Sequence, residues 1–199
     1  PRRLNEMNYV SALIKIFSEN SGKTFLIEAL TQRELTYLEF YKMAFKAALM
    51  MQGRGIAKRD RVAIILHNSA EFAALYFACL FLGATAVPVN PSLSKREIKH
   101  ILERAQVKIV ITSPATRDLL AGSITGMDRH LKILTMNEKK TASPEDYQEI
   151  EYKDTEGIIK PISDVNDNDL FAINFTSGTT SMPKGVAHCI KALLGNAAA

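Results

Sequence analysis

The middle of the chain alternates apolar strands with helices, and this alternation limits the possible folds more than any other feature. Predicted strands at 61–66, 84–89 and 107–112 are apolar at consecutive positions rather than at every second one. Predicted helices at 68–82 and 94–105 separate them. Strands with two apolar faces are typical of a parallel sheet that helices cover. The sequence therefore predicts an α/β fold, with a mainly parallel sheet covered by helices on both faces.

Polar residues mark the ends of the predicted helices. Thr36 and Glu39, and likewise Ser94 and Glu97, have the spacing of a capping box. Gly83 follows the apolar helix and predicts where it stops. The remaining predicted elements are helices at 9–18, 36–52 and 114–120, a short helix from 143, strands at 24–30, 33–36, 131–136 and 170–175, and a strand leading into a helix at 186–199.

Composition excludes several classes of function. The net charge is +4 over 199 residues and the basic residues are scattered, so no nucleic-acid partner is expected. The longest apolar run, 72–82, is shorter than the roughly 20 residues of a membrane-spanning helix, so we predict a buried helix and no transmembrane segment. Cys79 and Cys189 lack metal-binding or redox spacing, and we expect Cys79 in the core. These features, without a signal-peptide pattern, predict a cytoplasmic protein.

A polar stretch follows the strand predicted at 170–175. Residues 176–185, TSGTTSMPKG, combine five hydroxyl side chains with two glycines and one lysine. Glycines let backbone N–H groups approach an anion, while hydroxyls and lysine add donors and positive charge, so the mixture suits a polyphosphate. The order is neither Walker A nor the G-x-G-x-x-G fingerprint. Composition alone leaves open a flexible surface loop without a ligand.

The order T-S-G-T-T-x-x-P-K-G at 176–185 resembles the phosphate-binding loop of the adenylate-forming enzymes. That family comprises acyl- and aryl-CoA synthetases, luciferases and peptide-synthetase adenylation domains. Four other stretches resemble the family's N-terminal portion, in the same order: 34–37, 60–64, 68–72 and 82–91. Within the family, Val-Asn-Pro at 89–91 is more similar to acyl-CoA synthetases. Ser181 stands where the family commonly has glycine, and Phe175 where it often has tyrosine.

The resemblance implies an ATP-dependent acid–thiol ligase of the fatty acyl-CoA synthetase type, active in fatty acid metabolism. Such an enzyme forms an acyl-adenylate and pyrophosphate from a carboxylate and ATP, and then an acyl-CoA. ATP, Mg²⁺, coenzyme A and a small-molecule carboxylate are therefore the expected cofactors and partners. The positions that match the family's phosphate contacts are Thr176, Ser177, Gly178, Thr179, Thr180 and Lys184. His188 is expected either near the acyl or nucleotide site, or at a helix start with a backbone partner.

The family's segments for Mg²⁺, for ribose and for the catalytic lysine do not occur in this sequence. We therefore expect residues 1–199 to be the N-terminal part of an AMP-binding large domain, with no catalytic or metal-binding residue of its own and no activity alone. Two alternatives remain. The first is a naturally short, non-catalytic phosphate-binding or regulatory protein. The second is an adenylating enzyme with another acceptor, either a carrier-protein thiol or a luciferase-type oxidative step. The sequence leaves open which acid is used and the oligomeric state.

Overall fold

The computed structural model describes residues 9–124, 131–136, 165–178 and 181–195. Within these ranges the chain forms six helices and eight strands. The helices are α1 (Tyr9–Glu19), α2 (Tyr37–Gly53), α3 (Ala70–Leu82), α4 (Lys95–Arg104), α5 (Pro114–Ser123) and α6 (Ile190–Gly195). The strands are β1 (Thr24–Ile27), β2 (Glu34–Thr36), β3 (Arg61–Ile65), β4 (Thr85–Pro88), β5 (Ile109–Thr112), β6 (Lys132–Thr135), β7 (Leu170–Gly178) and β8 (Ser181–Cys189).

The larger sheet has six strands in the order β6-β5-β3-β4-β7-β8. Its first five strands run parallel to their neighbours, and β8 returns antiparallel to β7. Strands β1 and β2 form a separate antiparallel pair. The predicted α/β fold with a mainly parallel sheet is confirmed.

Two apolar clusters lie on opposite faces of this sheet. Val62 and Ile64 of β3 belong to the cluster that includes α1, α2 and α3. The alternate residues, Ala63 and Ile65, belong to the cluster with α4 and α5. Helices therefore cover both faces, as predicted. Cys79 lies fully buried in the first cluster, and burial raises the pKa of its thiol to about 12, which agrees with its predicted place in the core.

The predicted helix signals are also present. Thr36 and Glu39 form a capping box at the start of α2, and Ser94 and Glu97 form another at the start of α4. Gly83 ends α3 with a left-handed φ of 65°. In the part of the chain that the structure describes, no helix has the length and apolar character needed to cross a membrane.

The structure corrects the prediction around 176–185. The strand predicted at 170–175 continues to Gly178, and β8 begins at Ser181, five residues before the strand predicted from 186. Most of the predicted loop therefore forms the two arms of an antiparallel hairpin. The prediction relied on apolar patterning, which is weak where strand residues are exposed, as from Lys184 to Ala187. The short helix predicted from 143 lies outside the described residues.

Candidate functional site

The hairpin of β7 and β8 extends beyond the carboxyl ends of the parallel strands. Beside β4, β7 is in register at Ala86 and Ala172, and the Thr85 hydroxyl donates to the Leu170 carbonyl at 3.0 Å. Strand β4 ends at Pro88, two residues after Ala86, so β7 extends past the end of β4 beyond Asn174. Ligands of open α/β sheets bind at this carboxyl edge of the strands.

The hairpin brings together two of the predicted phosphate contacts. Thr176 on β7 is the register partner of Lys184 on β8, and both residues are exposed. Directly opposed residues of antiparallel strands carry their side chains on the same face, with Cβ atoms about 5 Å apart. Ser177 and Gly178 complete β7, and Gly178 pairs with Ser181. Thr179 and Thr180, between the two strands, lie outside the described residues.

Gly185, next to Lys184, makes room for an aromatic ring. A Cβ atom at this position would lie 3.0 Å from Cζ of Phe175 and 3.1 Å from Cγ2 of Ile173. Among the described glycines, those with positive φ are Gly55 and Gly83, so Gly185 adopts a conformation open to other residues. Gly185 therefore allows the close packing of the hairpin, and its expected part in anion approach stays a prediction.

A cavity of about 640 Å³ lies beside the hairpin. Its walls come from the ends of three neighbouring parallel strands, β3, β4 and β7. The lining includes Leu66, Asn68, Asn90, Pro91, Asn174 and Phe175. Apolar surface with a few polar groups is the usual character of a small-molecule site.

The turn between β1 and β2 forms part of the cavity's rim. Leu30, at this turn, lines the cavity although 99% of the residue is exposed. Two contacts hold the turn against the start of α3: a Glu28 carboxylate oxygen accepts from the Ala70 N–H at 2.7 Å, and the Arg33 guanidinium lies 2.9 Å from the Glu71 carboxylate. The Ala70 hydrogen bond lowers the pKa of Glu28, although burial acts in the opposite direction. Leu30 is thereby placed at the mouth of the cavity.

His188 lies on β8 opposite Ala172, two residues before α6 begins at Ile190. It is therefore a strand residue, not the first residue of a helix as one of the two predictions had it. Alternation along the strand puts His188 on the same face as Lys184, roughly 13 Å away. His188 is not among the described residues that line the cavity.

His100 was missed by the sequence prediction. This residue of α4 is partly buried, and its Nε2 lies 3.1 Å from the carbonyl oxygen of Pro183 on β8. The two residues are 83 positions apart, so no local pattern in the sequence connects them. Within the described ranges, no group of three or more histidine, cysteine, aspartate or glutamate side chains could hold a metal ion.

Comparison with known proteins identifies the family of this chain. The AMP-binding enzyme family matches residues 16–199. The 4-coumarate–CoA ligase 2 of Oryza sativa subsp. japonica is 31% identical over 172 residues, which is 81% of this chain and 30% of the relative. The long-chain-fatty-acid–CoA ligase FadD13 of Mycobacterium tuberculosis (strain CDC 1551 / Oshkosh) is 32% identical over 174 residues, which is 81% of this chain and 31% of the relative.

A solved structure with the same fold is the anthranilate CoA ligase AuaEII in complex with anthranoyl-AMP. Its TM-score is 0.78 at 25% identity, and the match covers 93% of this chain and 35% of that one. The chain thus spans about a third of the length of the relatives that it matches. The chain belongs to the AMP-binding enzyme family, whose members are adenylate-forming enzymes.

Proposed function

We propose that this chain is the phosphate-holding part of an ATP-dependent acid–thiol ligase. The observation that carries the proposal is the exposed cross-strand pair of Thr176 and Lys184, on a hairpin at the carboxyl edge of the sheet and beside a cavity. The two relatives named above are both CoA ligases, which supports coenzyme A as the acceptor. One relative is named for a long-chain fatty acid and the other for 4-coumarate, and among acids of these two kinds we propose a fatty acid. A cytoplasmic role in fatty acid metabolism belongs to the same proposal.

In the first step, a carboxylate oxygen attacks the α-phosphorus of ATP, and the bond from that phosphorus to the bridging oxygen breaks. Negative charge builds up on the leaving pyrophosphate. Fixed donors around the β- and γ-phosphates therefore stabilise the transition state more than the ground state. We assign this role to Lys184 and Thr176, together with Ser177, Gly178, Thr179 and Thr180. Mg²⁺ bound to the phosphates would add positive charge, and the described residues offer it no protein ligand set.

In the second step, the thiolate of coenzyme A attacks the acyl carbonyl carbon and AMP leaves. The hairpin has no part in this step, because pyrophosphate has already departed. The neighbouring cavity, which is lined by apolar and amide side chains and by His67, suits a part of a substrate other than the phosphates.

The test uses Lys184→Ala in the longest natural polypeptide that contains these residues. We expect carboxylate-dependent ATP–pyrophosphate exchange to fall about 10- to 150-fold, because a charge-assisted contact contributes about 1.5–3 kcal/mol. Acyl transfer from preformed acyl-adenylate to coenzyme A should change less than about twofold. The matched control is Lys191→Ala, which removes another exposed lysine, on α6. Equal slowing of both half-reactions would contradict the proposal.

We further propose that residues 1–199 form the N-terminal part of a larger AMP-binding domain, as the share of each relative that they cover supports. The 199-residue chain alone should then show no exchange activity. Robust exchange by this chain would contradict the proposal. A carrier protein with its thiol arm, offered in place of coenzyme A in the acyl-transfer assay of the longest natural polypeptide, tests the other acceptor.

A further inference from the structure

We propose that His100 is a positioning residue for Lys184. It holds the peptide unit that joins Pro183 to Lys184, and so fixes where the lysine leaves the hairpin. The inference rests on the proposed function, since it gives Lys184 a phosphate to bind.

The hydrogen bond has a single possible direction. The Pro183 carbonyl can only accept, so Nε2 of His100, at 3.1 Å, must carry the proton and donate. The peptide group is planar, so holding the carbonyl of Pro183 also holds the N–H of Lys184. On the other side of β8, the register with Thr176 sets the lysine's position. The backbone at Lys184 is therefore held from both sides.

The position of β8 explains why the hairpin needs such a contact. In the described part of the chain, β8 is the last strand of the sheet, and an edge strand leaves alternate backbone groups without a ladder partner. Proline suits this edge because it has no N–H to pair. Moreover, β7 has passed the end of β4 at this level, so β4 no longer flanks the hairpin.

Helix α4 is a firm support for the contact. Its capping box at Ser94 fixes its first turn, and Ile98, Ile101 and Leu102 are buried in the cluster with β3. His100 projects from this helix to the outer edge of β8. The contact therefore joins the packed core to the part of the hairpin that carries Lys184.

The test compares His100→Ala and His100→Gln with wild type in the longest natural polypeptide. We expect His100→Ala to lower kcat/KM for ATP in the exchange reaction about 3- to 10-fold, in the range of one neutral hydrogen bond. Acyl transfer from preformed adenylate should change less than about twofold. His100→Gln should recover most of the loss, because its amide nitrogen can donate to the same carbonyl. Glu103→Gln, elsewhere on α4, is the control and should leave both reactions unchanged.

A double variant separates positioning from a merely structural role. In a Lys184→Ala background, His100→Ala should have almost no further effect on exchange, because coupled residues are non-additive. A full 3- to 10-fold further loss there would overturn the inference. If Lys184→Ala alone leaves exchange intact, the proposed function fails. If it slows exchange but His100→Ala does not, only the inference about His100 fails.

A spectroscopic measurement does not depend on any variant folding. Nitrogen-15 NMR of the wild-type histidines should show His100 with its proton on Nε2. A neutral ring protonated only on Nδ1 would overturn the inference, since that tautomer cannot donate to Pro183.

Discussion

Replacing Gly185 with alanine tests how the hairpin is packed. The new methyl group would lie 3.0 and 3.2 Å from Cζ and Cε1 of Phe175, and 3.1 Å from Cγ2 of Ile173. These contacts are a few tenths of an ångström too close, so the Phe175 ring must shift. Overpacking of this kind costs about 1–3 kcal/mol. Alanine has less backbone freedom than glycine in the unfolded chain, which offsets about 0.4–1 kcal/mol of this cost. The offset applies because φ at Gly185 is not positive, so alanine can adopt the native backbone conformation.

The net expectation is a decrease of about 0.5–2 kcal/mol in the free energy of unfolding. Urea unfolding followed by far-UV circular dichroism measures it, since the chain has no tryptophan to report by fluorescence. Gly53→Ala is the matched control: nothing lies within 4 Å of the added Cβ, and the site is the last residue of α2. That substitution should be neutral or stabilising, by up to about 1 kcal/mol.

A double-mutant cycle assigns the cost to the ring. Leucine at position 175 lacks the Cζ and Cε1 atoms, so Phe175→Leu should remove more than half of the cost of Gly185→Ala. The contact with Ile173 would account for the remainder. If Gly185→Ala costs the same in both backgrounds, or stabilises the protein as Gly53→Ala does, the packing argument is wrong.

Two further predictions concern stability elsewhere. Thr116→Val should lower the free energy of unfolding by about 2–3 kcal/mol, because it leaves two buried backbone groups without their partner. The Thr116 hydroxyl accepts from the buried Ser113 N–H at 3.1 Å and donates to the Ile65 carbonyl at 2.9 Å. Urea unfolding measures the loss, and Thr135→Val, at an exposed threonine, is the control. Burial raises the pKa of Asp169, but its hydrogen bonds with Lys58 at 2.7 Å and with the Asn166 N–H outweigh burial and lower the pKa overall. The stabilising contribution of the Asp169 carboxylate is therefore present above the unfolded pKa and is lost as pH falls through the folded pKa. The decrease in unfolding free energy caused by Asp169→Asn should thus be smaller at about pH 3 than at about pH 6. An equal decrease at both pH values would contradict this.

The central fold could be predicted because its signals are local. The capping pairs at Thr36 and Ser94 lie three residues apart in sequence, and each forms a contact that the structure contains. The consecutive apolar residues of β3 predicted helices on both faces, and its alternate residues do enter two separate clusters. In these elements, the same needs to bury apolar side chains and to cap helix ends determine both the sequence pattern and the packed structure.

The hairpin could be predicted only in part, because its contacts are distant or its residues exposed. The polar order at 176–185 indicated a phosphate ligand but not a β-hairpin, since exposed strand residues need no apolar alternation. Neither the contact of His100 with Pro183 nor the place of Leu30 at the cavity follows from local sequence. Such contacts arise only after the sheet and its helices have assembled.

The passage of β7 beyond the end of β4 has a consequence for how the protein can vary. Strands β3 and β5 are enclosed by other strands and by two apolar clusters, so a substitution there disturbs many neighbours. Beyond Asn174, β4 no longer flanks β7, and exposed side chains such as Thr176 and Lys184 can change without a matching change in the core. Phe175 still packs against the core, so it does not share this freedom. The geometry separates side chains that the packed core constrains from exposed side chains that can vary without disturbing the fold.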